Sequence, residues 1–173
     1  MTRKIAIIVG VVVLAMVVLF AASPDGGERV DKSPLVGKLA PAISATDTAG
    51  AKFTLDDYRG SWVLVNFFAT WCGPCKIEHP ELLSFSERHA VTKDASVVSI
   101  SFNDDAAAVK AFFAQNGGTW PVIAEGNAQI AIDYGVIKLP ESYLVAPTGQ
   151  IVTKFSGGIR ADDVDAVIAQ AGK

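Results

Sequence analysis

The chain has 173 residues, half of them hydrophobic and 19% charged, with a formal net charge of −3. No basic stripe interleaved with aromatics runs through it, and the acidic balance repels a phosphate backbone, so a nucleic-acid partner is excluded. It has two cysteines and two histidines, and a structural zinc site would need all four.

The chain opens on Met1 to Ala22, whose run "IAIIVGVVVLAMVVLFAA" from Ile5 to Ala22 holds no charged or strongly polar residue. At ~1.5 Å per residue such a helix reaches most of the way across a hydrocarbon core of ~30 Å, and it exceeds the usual signal-peptide core. Arg3 and Lys4 precede it and should hold the leading end in the cytoplasm, placing the rest of the chain on the outer face. A cut after Ser23 would leave Pro24 next, and a cut after Ala22 puts bulky Phe20 three positions back, so cleavage is disfavoured. The expectation is an uncleaved single-pass anchor in a bacterial cell membrane, with cleavage and export as the alternative. Without this segment, 15 basic residues less Arg3 and Lys4 leave 13 against 18 acidic, a formal −5.

Residues 23–35, "SPDGGERVDKSPL", are rich in Pro, Gly, Ser and charge and predict a flexible tether. Residues 36–173 are then the size of one domain with one core. Within it, Trp62 to Phe68, "WVLVNFF", predicts a strand buried on both faces. The stretch "FFATWCGPCK", Phe67 to Lys76, follows and contains both cysteines.

A helix is predicted from Gly73 to about Ala90, with apolar Ile77, Leu82, Leu83 and Phe85 on a helical rhythm and Pro80 bending it. "SVVSISF", Ser96 to Phe102, is the next buried strand, and "DDAAAVKAFFAQN" the next helix, with Asn103 or Asp104 as its N-cap. Strand, helix, strand in this order imply two parallel strands joined by a right-handed crossover. Gly117-Gly118 and Gly157-Gly158 are turn material, and Trp120-Pro121 begins a core strand. "ESYLVAP" and "QIVTKFS" flank Pro147-Thr148-Gly149 and predict an antiparallel hairpin, after which "ADDVDAVIAQA" closes the chain as an amphipathic helix. The fold class is therefore α/β, one mixed sheet with helices on both faces.

Two thiols three residues apart close too short a loop to stabilise a fold by cross-linking, which leaves redox chemistry or half of a metal site. Cys72 sits where a buried strand meets a helix N-terminus, whose unpaired N–H groups and positive dipole end stabilise a thiolate. Cys75 falls on the same helical face, within disulfide reach. Cys72 is thus the candidate nucleophile and Cys75 the resolving thiol. His79 shares that face, which would suit a metal site, but a fourth ligand is missing and a packed helix histidine is the preferred reading. No metal is expected. His89, near the helix end, should interact with the dipole there, and Asn103-Asp104-Asp105 lacks the spacing of a calcium loop and is read as helix capping.

"VLVNFFATWCGPCKIEHPEL", with Pro80 and a later Leu139-Pro140 before a strand, resembles thioredoxin, and more closely the membrane-anchored thioredoxin-like proteins of the TlpA, ResA and cytochrome c maturation (DsbE-like) group. The resemblance runs from about Leu39 to the C-terminus. "Glu78-His79-Pro80" matches the group's Glu-x-Pro, and "GVIKLPES", Gly135 to Ser142, its Gly-Val-x-Gly-x-Pro-Glu-Thr pattern, with Lys138 in place of Gly and Ser142 in place of Thr. It implies the thioredoxin fold, Pro140 as a cis-proline facing Cys72 and Cys75, and a redox-active Cys72–Cys75 disulfide with no other cofactor. Trp71, Gly73 and Pro74 would support the thiols, Trp71 as a lid. Where thioredoxin carries a buried Asp this chain has Asn66, which accepts no proton, so Glu141 beside Pro140, or failing that Glu78, becomes the candidate acceptor for the proton of Cys75.

The function the resemblance implies is reduction of disulfides in specific exported proteins, with apocytochrome c as the first client class and copper-site assembly the second. A membrane thiol reductase would supply electrons, and a monomer is expected. A dithiol oxidase for secreted proteins and a non-catalytic copper or zinc carrier are the alternatives. A peroxidase is disfavoured, because the region around Thr70 and Cys72 lacks the upstream proline and spacing of such a site.

Overall fold

The computed structural model describes Val12, Met16, Arg29, Val30 and residues 33–124 and 128–172. The expected membrane anchor, apart from Val12 and Met16, and most of the expected tether therefore lie outside the described residues. No helix among the described residues is long and apolar enough to cross a membrane.

Eight strands are described: β1 (Arg29–Val30), β2 (Ser44–Thr46), β3 (Lys52–Thr54), β4 (Trp62–Phe68), β5 (Ala95–Ser101), β6 (Val122–Ile123), β7 (Glu141–Val145) and β8 (Ile151–Ser156). Between them lie helices α1 (Gly73–His89), α2 (Ala106–Asn116) and α3 (Ala128–Tyr134), and α4 (Ala161–Ala171) follows β8. Six strands form one sheet in the order β1-β8-β7-β4-β5-β6, and β2 pairs only with β3. β4 and β5 run parallel, as do β5 and β6, whereas β7 is antiparallel to both β4 and β8. The expected mixed sheet is present, with its parallel half from the strand-helix-strand units and its antiparallel half from the hairpin. Within the stretch read as a tether, Arg29 and Val30 extend the sheet by pairing with Ser156 and Phe155.

β4 occupies the middle of the sheet, and its near-continuous apolar sequence follows from burial on both faces. Alternation along it divides the core. Leu64 and Phe68 face one side with Cys72, Cys75, Leu82, Phe85, Val109 and Val164, beneath α1, α2 and α4. Val63, Val65 and Phe67 face the other with Ile43, Phe53, Ile130, Tyr134 and Tyr143, beneath α3 and the β2–β3 hairpin. Asn66 falls in register with Leu64 and Phe68, so the strand carries a buried amide toward the layer that holds the cysteines.

α1 runs unbroken through Pro80 and is tied to α4 at its solvent side. Glu81 accepts the Ala161 N–H at 2.9 Å and caps α4, which has no side-chain cap of its own. Arg88 bonds Asp162 and Asp165, each at 2.7 Å, and His89 sits between Asp94 at 2.9 Å and Asp165 at 3.0 Å. His89 is thus an interhelix staple through its two carboxylates, more than a partner of the helix dipole. The N-cap of α2 also differs from expectation. It is Asp105, which accepts the Ala108 N–H at 2.9 Å, because Asp104 is turned toward Thr70.

Candidate active site

Cys72 leaves β4 after a short turn and becomes the N-cap of α1, and its sulfur lies 3.2 Å from the Cys75 N–H. Pro74 occupies the first turn, where its missing N–H leaves no gap in the ladder, and no acidic residue stands there to oppose the dipole. The two cysteines are joined as a disulfide. Both are almost buried, Cys72 being 5% and Cys75 4% exposed. An added Cβ on Gly73 would meet nothing within 4 Å, so the chain between the two cysteines faces open space there.

The turn into Cys72 is held from the β5–α2 loop. Thr70 donates its hydroxyl to Asp104 at 3.0 Å, and the Trp71 indole donates to the Asn103 carbonyl at 3.1 Å. Trp71 is 60% exposed, so the indole lies on the surface beside the thiols, fastened to that loop. The Leu139–Pro140 bond is cis. Pro140 is buried, Leu139 packs against the cluster containing both cysteines, and the Gly157 N–H donates to the Pro140 carbonyl at 2.9 Å. Gly157 adopts φ +97°, which a side chain would strain, so this turn residue fixes the cis-proline loop from behind.

Glu78, one turn along α1 from Cys75, is buried on the same helix face. Asn66 Nδ2 donates to its Oε1 at 2.7 Å and the Ile159 N–H to its Oε2 at 3.2 Å. Burial raises its pKa, the two hydrogen bonds oppose this, and the result is about 7. A carboxyl poised there is ionised or protonated with equal ease near neutral pH.

Glu141 is equally buried but lies elsewhere. Strand alternation sends Ser142 and Leu144 toward the cysteine layer, and Glu141 and Tyr143 to the opposite face. There Glu141 Oε2 accepts from Lys154 Nζ at 3.0 Å and from the Ile137 N–H at 3.3 Å. Lys154 is nearly buried and lies over the Tyr143 ring at 5.4 Å. Burial alone would lower its pKa, but the bonds to Glu141 and Tyr143 outweigh that and raise it, so the ammonium is retained. The pair lines a cleft of about 760 Å³ with Tyr134, Ile137 and Lys138.

His79 Nε2 lies 3.1 Å from the Gly117 carbonyl, among the rings of Phe112, Phe113 and Trp120. Burial lowers its pKa, which favours the neutral ring. Among the described residues no group of three or more His, Cys, Asp or Glu could hold a metal ion.

A disulfide at a helix N-terminus, with the residue before a cis-proline packed on the same core layer, suits thiol-disulfide exchange, and residues 35–168 match the Redoxin family. The chain belongs to the Redoxin family. It is 33% identical over 122 residues to the thiol-disulfide oxidoreductase ResA of Bacillus thuringiensis subsp. konkukian, covering 70% of each chain. It is 32% identical over 131 residues to the thiol:disulfide interchange protein HelX of Rhodobacter capsulatus, covering 74% of this chain and 72% of that one. The crystal structure of a thiol:disulfide interchange protein DsbE from Chlorobium tepidum superposes with a TM-score of 0.67 at 27% identity, over 77% of this chain and 92% of the other. This Redoxin-family chain is a thioredoxin-fold thiol-disulfide oxidoreductase of the ResA and DsbE-like type.

Sequence reasoning placed the two cysteines, Pro140 and the buried acids, and missed the groups that hold them. Ser99, Ser142, Asp104 and the Ile159 N–H each touch a site residue from a distant part of the chain. Only the alternation of "ESYLV" could have separated Glu141 from Ser142 in advance.

Proposed function

We propose that this oxidoreductase reduces disulfides of specific exported proteins, with Glu78 as the acceptor of the Cys75 proton. The observation that carries the reading is the buried Glu78 carboxyl, one turn from Cys75 with a pKa of about 7. The Cys72 thiolate, held by the Cys75 N–H, attacks one sulfur of a client disulfide, whose other sulfur leaves as a thiolate. Cys75 then gives its proton to Glu78 and attacks Cys72 Sγ, so that the mixed disulfide breaks, the client's second sulfur leaves as a thiolate and the Cys72–Cys75 disulfide closes, the reduced client sulfurs taking up protons from solvent as pH dictates. Glu78 loses its proton to solvent or to the departing thiolate, and no further cofactor takes part.

Glu141 is a poor acceptor, because it faces away from the cysteine layer, where its Oε2 pairs with Lys154 Nζ at 3.0 Å. Its place is structural. The exposed side chain of Trp71, next to Cys72 in the chain, suits an extended client segment, which would pair with backbone at the Leu139–Pro140 loop by strand addition. Apocytochrome c and copper-site proteins are the client classes proposed from the ResA, HelX and DsbE-like resemblance. The Arg3-Lys4 charge and the apolar run after it support an outward-facing, membrane-tethered monomer recharged by a membrane thiol reductase.

Direction rests on a balance. The Cys75 N–H favours the Cys72 thiolate and so the oxidant reading. Against it, an ionised Glu78 in the same buried layer disfavours a second negative charge, which favours the disulfide and makes the dithiol reducing. Equilibration with a dithiol of known potential should place the couple near about −270 mV, and a value near about −120 mV would make the oxidase reading the better one.

A further inference from the structure

The acceptor Glu78 receives one hydrogen bond from a side chain, and that side chain is an amide that can point either way. Asn66 aims its NH2 at Glu78, and the reason lies further along the sheet. In the strand register Asn66 stands between Ser142 of β7 and Ser99 of β5, so the three side chains form one polar rung across three strands on the same face. Each is 1% exposed.

The bonds of the rung run one way from its far end. The Trp120 indole can only donate, and it donates to Ser99 Oγ at 2.8 Å. This occupies a lone pair of Ser99 and leaves its single proton free for Asn66 Oδ1, at 3.5 Å. With its oxygen turned to Ser99, the amide presents both N–H groups to the other side, one to Glu78 Oε1 at 2.7 Å and one to Ser142 Oγ at 3.1 Å. The amide is then fully used, with two donors and one acceptor engaged. The reversed amide would set Oδ1 against the Glu78 oxygen, a contact that only the protonated carboxyl tolerates.

We infer that Ser99 and Trp120 are positioning residues for the proton acceptor: by presenting the Ser99 proton to Asn66 Oδ1 they favour the amide orientation that suits an ionised Glu78. Neither residue reaches the sulfurs. They act through Asn66, and the functional consequence rests on the reading of Glu78 as the acceptor for Cys75.

The test is a carbon-13 NMR titration of the Glu78 carboxyl in the full-length, disulfide-bonded chain, where neither cysteine titrates. The wild type should titrate near pH 7. Ser99→Val and Ser99→Thr have nearly the same shape and differ in the hydroxyl. Ser99→Thr should keep the wild-type midpoint, whereas Ser99→Val should move it up by about one pH unit, and Trp120→Phe should move it in the same direction by less. A common midpoint for Ser99→Val and Ser99→Thr, whatever their stabilities, overturns the inference. If both fail to fold, Trp120→Phe decides alone, and an unshifted midpoint overturns it. The measurement reads Glu78 itself, so it stands even if resolution kinetics show that Glu78 is not the acceptor.

Discussion

Glu78 and Glu141 are two buried acids near two prolines, and the sheet separates them. Glu78 projects from the buried face of α1 onto neutral partners, an amide and a backbone N–H, while Glu141 lies on the opposite face of the sheet against the ammonium of Lys154. Burial is nearly the same, at 2% and 1% exposure, so burial does not set their roles. The partner does. Neutral donors leave Glu78 able to gain and lose a proton near neutral pH, whereas Glu141 is held in a buried ion pair whose breaking leaves Lys154 without its counter-ion.

The comparison depends first on which sulfur needs a proton acceptor. Cys72→Ser should abolish disulfide exchange, and Cys75→Ser should still attack and accumulate a mixed disulfide visible on a non-reducing gel. Accumulation with Cys72→Ser instead would exchange the two roles and remove Glu78 from the resolving step.

The next test sets stability against chemistry. Glu141→Gln leaves Lys154 buried without its counter-ion and should cost about 3 kcal/mol in urea unfolding with little change in the resolution rate. Glu78→Gln loses no charged partner and should cost about 1 kcal/mol. A larger stability loss from Glu78→Gln than from Glu141→Gln would break the comparison.

Stability against pH sharpens it further. The folded pKa of Glu78, about 7, lies above its ordinary value of 4.5, so the folded state binds the proton more tightly. Its contribution is full below about pH 4.5 and is lost as pH rises through 7, by about 3 kcal/mol at most. Unfolding free energies between pH 4.5 and 8 should show this decline in the wild type and in Glu141→Gln, and not in Glu78→Gln. A slope that survives Glu78→Gln belongs to other groups, His89 among them, whose raised pKa acts with the same sign.

Much of this organisation was legible in the sequence where a long pattern met a short motif. "WVLVNFF" matches β4 residue for residue, α1 starts at Gly73 as its position before the helix required, and the Pro-Thr-Gly turn joins β7 to β8. β2 and β3 are three residues each and mostly polar, too short to show a period, and α3 has only seven residues, too few for a helical rhythm although Asn127 and Gly135 flank it in the sequence. The choice between the acids went to Glu141 because it adjoins Pro140 in the chain. Alternation along β7 turns adjacent residues to opposite faces, and only strand register brings Asn66, Ser99 and Ser142 together beside Glu78.

The central claim is that Glu78 takes the proton from Cys75, and the most direct test is the single-turnover rate of mixed-disulfide resolution across pH in the wild type and Glu78→Gln. The wild-type rate should rise with a carboxyl titration near pH 7, and Glu78→Gln should lose that titration and run about 100-fold slower at its plateau, with the initial attack by Cys72 unchanged. A resolution rate and pH profile unaltered by Glu78→Gln would contradict the account.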